Sequence, residues 1–410
     1  MGIKLRLIIM NFLQYGVWGA WLITLGAYLG GTLHFDNVQI GSFFATMGIA
    51  SLFMPAVMGI LADRVIPAQK LLGICHFVAA AFLIYGAQQT EYVNLYAAIL
   101  LSVMFYMPTI ALSNSVAFNA LEKSGLDTVK DFPPIRVWGT VGFICSMWVV
   151  DLLKLGLTSN QLYFSAALGV ILGLYSFTLP ACPINTNPGN SSLIDKLGLK
   201  AFSLFKQRKM AIFFIFSMML GMSLQITNAF ADGYIKGFGD VAIYGDQYLG
   251  TFGVEHSTIL ISLSQISETL CILLIPFFLH RYGIKKVMLI SMVAWVLRFG
   301  LLGAGNPGSG VWMFFLSMIV YGVAFDFFNI SGSLFVEHET NDSIRSSAQG
   351  VFMIMTNGFG AFIGSYVAGA VVKAYGWPDS WFIFSAYSLV IAVLFSLIFK
   401  YKHTPEVAKN

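Results

Sequence analysis

Apolar residues run along this chain in long unbroken stretches, without the short alternations of half-buried strands. Twelve stretches of about 20 residues or more stand out, at 5–30, 38–62, 69–88, 93–120, 134–154, 160–180, 210–232, 256–280, 284–304, 310–335, 345–373 and 379–401. A helix of that length spans the hydrocarbon core of a bilayer, about 30 Å thick. Most connections are short, so neighbouring helices are expected to be antiparallel. The longest polar break, residues 183–208, carries Pro, Asn and Ser and then a short amphipathic piece. It divides the stretches six and six. The pattern predicts an all-α membrane protein of twelve transmembrane helices in two pseudo-symmetric six-helix halves. The bundles are expected at 1–182 and 209–410, joined by a cytoplasmic linker at 183–208.

Composition narrows the class. The chain is 57% hydrophobic and 10% charged, with mean hydropathy +0.77. Soluble domains carry about a quarter charged residues, and a soluble core cannot hide this much apolar surface. The net charge of +4 is too small to suggest nucleic acid. Cys75, Cys145, Cys182 and Cys271 lie in or beside apolar runs without metal-ligand spacing, so neither a disulfide framework nor a metal site is expected. The first apolar run has no small-residue cleavage site after it and is expected to be a span. No phosphate-binding G-x-x-x-x-G-K-[ST] loop, H-E-x-x-H motif or convincing serine elbow occurs, so no enzyme chemistry and no cofactor are expected.

Basic residues predict orientation. Eighteen Lys and Arg fall on the side shared by both termini, among them Lys4, Arg64, Lys130, Arg208, Lys285 and Arg345. Three fall opposite: Lys154, Lys236 and Lys373. Both termini are therefore expected in the cytoplasm, with a larger outer loop at 233–255. The halves echo each other. "GILADRVIPAQK" (59–70) and "HRYGIKK" (280–286) occupy corresponding loops. "DFPPIRVWGTVG" (131–142) and "NDSIRSSAQG" (341–350) each put an Ile-Arg pair at the entry of a fifth helix. Paired six-helix halves suggest a transporter repeat, with substrate bound near the midplane between the halves.

Polar groups within spans are costly against lipid and are expected to face the bundle interior. Helical spacing groups them, since residues three or four apart share a face. Arg136, Thr140 and Phe143 form one patch, Gln225 and Asn228 a second, and Gln265 and Glu268 a third. Tyr321, Phe325 and Asn329 form a stripe with Asp326 beside it. Two readings stay open for each patch. Gln225 and Asn228 serve as hydrogen-bonding glue between helices or as ligand contacts. Tyr321 and Phe325 are interface packing or ligand contacts. Arg136, Glu268 and Asp326 form structural ion pairs or carry function. Arg298 reads as a structural partner or a headgroup neighbour, and His76 as a packed or interfacial histidine. Asp63, Arg64 and Lys70 read as a latch between cytoplasmic helix ends or as plain topogenic charge.

With these residues in hand, the chain resembles the major facilitator superfamily. "GILADRVIPAQK" is similar to a worn form of its loop motif, departing from it at Ile66-Pro67 and in having the single Lys70. More closely, "FLQYGVWGAWLITLGAYL", "DFPPIRVWGTVGF", "KMAIFFIFSMMLGMSLQITN", "LSQISETLCILLIPFFLHRYGIKK" and "SMIVYGVAFDFFNISGSLFVE" resemble bacterial nucleoside:proton symporters over nearly the whole chain. The resemblance implies a nucleoside site formed by Arg136, Thr140, Phe143, Gln225, Asn228, Gln265, Glu268, Tyr321 and Phe325. It makes Asp326 the candidate proton-coupling acid, with Glu268 competing for that role.

The chemistry suits such a ligand. Amides and carboxylates bond ribose hydroxyls and base edges, and aromatic rings stack on bases, worth about 1–3 kcal/mol per base in single-strand binders. An apolar setting penalises a charged carboxylate, which suits an acid that must take up and release a proton. The expectation is proton-coupled nucleoside import by alternating access, by a monomer in the inner membrane, with protons, nucleosides and lipid as partners. A sugar:proton symporter of the same fold is the nearest rival. A non-transporting membrane sensor would be expected to carry a cytoplasmic output domain.

Overall fold

The computed structural model describes residues 2–184, 199–340 and 344–401, and they are helical throughout their ordered elements. Nine helices among the described residues are long and apolar enough to cross a membrane. Helix formation follows from the setting, because a span in lipid must satisfy every backbone N–H and C=O within itself. The chain divides into two compact units. One comprises Met1–Leu197 with Asn228–Gly233, the other Gly198–Thr227 with Tyr234–Asn410.

In the first unit the helices are α1 (Ile3–Gly19), α2 (Asn37–Arg64), α3 (Ala68–Gly86), α4 (Tyr92–Lys123), α5 (Thr128–Leu152) and α6 (Asn160–Ser176). The expected first run, 5–30, is not one straight helix. α1 ends at Gly19, a turn follows, and a short helix Leu25–Ala27 passes into a π-helical turn Tyr28–Thr32. α2 starts where Asp36 and Gln39 form a capping box, with Gln39 N donating to Asp36 Oδ1 at 2.8 Å and Asp36 N to Gln39 Oε1 at 3.0 Å. α1 and α5 meet backbone to backbone. A Cβ at Gly142 would lie 2.0 Å from Phe12 O, and one at Gly19 would lie 2.3 Å from Phe143 O. Only small residues permit such an approach between spans, and it fixes α5, with Arg136 and Phe143 on it, against α1.

The second unit holds α7 (Arg208–Gly237) apart from Asn228–Gly233, with α8 (Ser257–Ala304), α9 (Val311–Glu339), α10 (Arg345–Met353), α11 (Ala361–Tyr375) and α12 (Asp379–Ile398). The expected stretches 256–280 and 284–304 are two helices, labelled together as α8 and separated at Gly283, whose φ of 74° and ψ of 166° depart from helix. The expected outer loop 233–255 is partly helical. α7 runs on to Gly237, and short turns form at Val241–Tyr244 and Phe252–Glu255. Tyr234, Phe238, Tyr244 and Tyr248 pack their rings together there, which explains the order. α10 and α11 are joined by a π-helical turn, Ile354–Gly360. Of the linker expected at 183–208, residues 185–198 lie outside the described residues, and Leu199–Lys206 forms a 3-10 helix. Residues 341–343 of "NDSIRSSAQG" also lie outside them.

Candidate functional site

α8 and α9 carry the densest cluster of expected site residues. They cross tightly: a Cβ at Gly322 would sit 2.5 Å from Ser267 O. The Ser267 hydroxyl donates to Ile319 O across the same crossing, and Ser291 Oγ, on the part of α8 beyond Gly283, donates to Ala324 O. This approach brings Glu268, next to Ser267, close enough to act electrostatically on both Tyr321 and Asp326. Gln265, one turn earlier, reaches the Tyr321 hydroxyl. Asp326 is only 5% exposed, and its Oδ2 makes no hydrogen bond among the described residues. A buried carboxyl oxygen without a donor is expensive to charge, and the crossing places a second acid, the half-buried Glu268, within electrostatic reach of it.

The aromatic stripe is assembled as the spacing predicts. Tyr321 and Phe325 stack with centroids 5.7 Å apart and planes 7° apart. Trp295 of α8 meets Tyr321 edge-on at 6.1 Å. Arg298 lies over the Tyr321 ring. It is 2% exposed, its Cζ lies 4.5 Å from the Tyr321 ring centroid, and its Nη1 donates to Ser317 O at 2.8 Å. Of the two readings for Arg298, the structure shows the structural one: a buried cation held on an aromatic face.

A small, partly open cavity lies beside this stripe within the second unit. Leu220, Gly221 and Leu224 of α7 line one side, and Trp295, Phe325 and Phe328 supply aromatic surface. Its polar lining is Asn329, Thr356 and Asn357. Phe325 is the one expected contact residue on that wall. Gln225 and Asn228 share α7 but are not part of it. Gln225 is 6% exposed with Oε1 unbonded among the described residues, and Asn228 is half-buried.

In the first unit, Arg136 is half-buried, with its Cζ 3.8 Å from the Tyr15 ring centroid. Gly139 makes room for this, since a Cβ there would lie 2.6 Å from that ring. Thr140 is half-buried and Phe143 buried on the same helix. His76 is the packed histidine of the two alternatives. It is fully buried, its Nε2 lies 2.9 Å from Gln14 Oε1, and Gln14 Nε2 donates to Thr109 Oγ1 at 2.7 Å. Asp63, Arg64 and Lys70 are exposed.

Sequence reasoning did not single out Trp295, Thr356, Asn357 or the Gln14–His76–Thr109 network. Thr356-Asn357 did carry a signal, a polar pair inside an apolar run, by the same rule that marked Asp326.

The sequence matches the family described as Nucleoside H+ symporter over residues 1–404. It is 50% identical to nucleoside permease NupG of Escherichia coli (strain K12), covering 98% of this chain and 97% of that protein. It is 49% identical to xanthosine permease of the same organism, covering 100% and 99%. The crystal structure of nucleoside transporter NupG superimposes with a TM-score of 0.91 at 50% identity, covering 98% of this chain and 100% of that one. With a family match along almost its whole length and half its residues shared with a relative of equal extent, this chain belongs to the nucleoside H+ symporter family of membrane transporters.

Proposed function

We propose that this protein imports nucleosides together with protons across a bacterial inner membrane by alternating access. The observation that carries the reading is the α8–α9 crossing, where Glu268 and Asp326 sit beside the stacked Tyr321 and Phe325. A nucleoside brings a flat base and ribose hydroxyls, and a symporter needs a titratable group near them. Arg136, Thr140, Phe143, Gln225, Asn228, Gln265, Glu268, Tyr321 and Phe325 are the proposed substrate contacts. Asp326 is the proposed proton carrier, with Glu268 as its neighbour and competitor. A neutral, protonated carrier loaded with a neutral nucleoside avoids moving an unpaired charge through the apolar interior. Proton release on the cytoplasmic side then resets it.

The topology is proposed as twelve spans in two six-helix halves of the major facilitator type, bounded at 1–182 and 209–410. In support, Gly283 separates two span-length pieces within α8, and α1 and α6, at 17 residues each, have the length of short spans. Both termini are placed in the cytoplasm by the excess of Lys and Arg on their side. We take the functional unit to be a monomer.

The substrate class is tested by competition in proteoliposomes. Unlabelled uridine, adenosine and xanthosine are expected to block uptake of labelled uridine, while free bases and disaccharides such as maltose leave it intact. Block by maltose with no effect of nucleosides would favour a sugar carrier.

A further inference from the structure

The π-helical turn Ile354–Gly360 is pinned by glycine contacts. A Cβ at Gly221 would lie 2.2 Å from Thr356 O, and one at Gly360 would lie 2.9 Å from Gly221 Cα. α7 thus presses directly on the turn. π turns inside helices are frequent at functional sites, and this one turns Thr356 and Asn357 together onto the cavity wall. The three polar residues there are not equally available. Thr356 Oγ1 donates to its own helix, to Phe352 O at 3.0 Å or Met353 O at 3.3 Å. Asn329 Nδ2 is engaged with Phe325 O at 3.2 Å. Among the described residues, Asn357 Nδ2 has only Met353 Sδ at 4.0 Å, a weak acceptor. Its carboxamide is the least committed polar group on a wall otherwise built of Trp295, Phe325 and Phe328.

We infer that this cavity receives the nucleobase, stacked against the aromatic wall, and that Asn357 is the specificity-determining residue that bonds the base edge. The inference rests on the nucleoside reading above. A carboxamide places one donor and one acceptor side by side. By rotating it matches an N–H/C=O edge, as in uracil and hypoxanthine, or an amino–imine edge, as in cytosine and adenine. Asn357 therefore permits both kinds of base. A carboxylate at this position accepts only, so it suits an exocyclic amino group and opposes a carbonyl.

The test uses the full chain in proteoliposomes, with wild type, Asn357→Asp and Asn357→Ala. Inhibition of labelled uridine uptake by unlabelled uridine and cytidine gives the affinity ratio, and ligand-dependent thermal shifts give it for any variant that no longer transports. Asn357→Asp is expected to shift the ratio toward cytidine by roughly tenfold, the scale of one base-edge pair. Asn357→Ala should weaken both nucleosides alike. An unchanged ratio in Asn357→Asp, or equal loss of both nucleosides, overturns the inference.

A second measurement does not depend on Asn357→Asp folding. 3-Methyluridine blocks the imide N–H, so wild type should bind it roughly tenfold more weakly than uridine, and Asn357→Ala should bind the two alike. Undiminished discrimination in Asn357→Ala overturns the inference. Wild type that takes up no nucleoside at all refutes the transport reading instead.

Discussion

Asp326→Asn is expected to abolish accumulation of nucleoside against a gradient while leaving exchange intact. The substitution keeps the shape of the side chain and removes its titration. Asp326 is buried, with Oδ2 unbonded among the described residues and Glu268 acting on it, so a neutral amide fits the site without leaving a charge behind. Substrate can still enter, bind and cross, but no proton accompanies it. With an inward proton gradient of about one pH unit, one-to-one coupling supports about tenfold accumulation. In the Asp326→Asn variant the ratio should fall to about 1, as for a passive carrier, because no gradient energy is transmitted. Counterflow of labelled uridine into uridine-loaded vesicles should persist. If Asp326→Asn still concentrates nucleoside, the coupling role passes to Glu268.

Gly322→Val is expected to lower uptake by roughly tenfold without replacing any residue of the proposed site. A Cβ at this position would meet Ser267 C, O and Oγ at 2.5 to 2.7 Å. Backbone cannot yield as a flexible side chain does, so α8 and α9 must move apart. Overpacking of this kind typically costs 1–3 kcal/mol, roughly a factor of 5 to 150 in an equilibrium. The separation also pulls Glu268 away from Asp326 and Tyr321, which links packing to function. Initial uptake rates, normalised to protein recovered from the membrane, measure the effect. Wild-type rates in Gly322→Val would show that the close crossing does not position the acids.

Much of this was legible in the sequence because a bilayer imposes simple rules. Span length fixes the helices, and the cost of polar groups in lipid marks Gln265, Glu268, Tyr321 and Asp326 as inward-facing. The stacked pair Tyr321–Phe325 follows from i, i+4 spacing alone. Other features depend on tertiary approach, which periodicity does not encode. The break after Gly19 and the π turn at Ile354–Gly360 both lie where glycines let backbones touch. The charge of Arg298 could equally have served headgroups or a partner. Its burial on the Tyr321 ring appears only once α8 folds against α9. The loop expected at 233–255 is partly helical, because aromatic packing orders it, which the polar pattern does not reveal.

The central claim is that proton flow drives nucleoside inward. The most direct measurement is accumulation of labelled uridine in proteoliposomes of the wild-type protein, with membrane potential clamped and the pH gradient imposed or collapsed. Accumulation well above the external concentration is expected with the outside acidic, falling to equilibrium when a protonophore is added. Uptake that reaches the same level with and without the gradient would contradict symport.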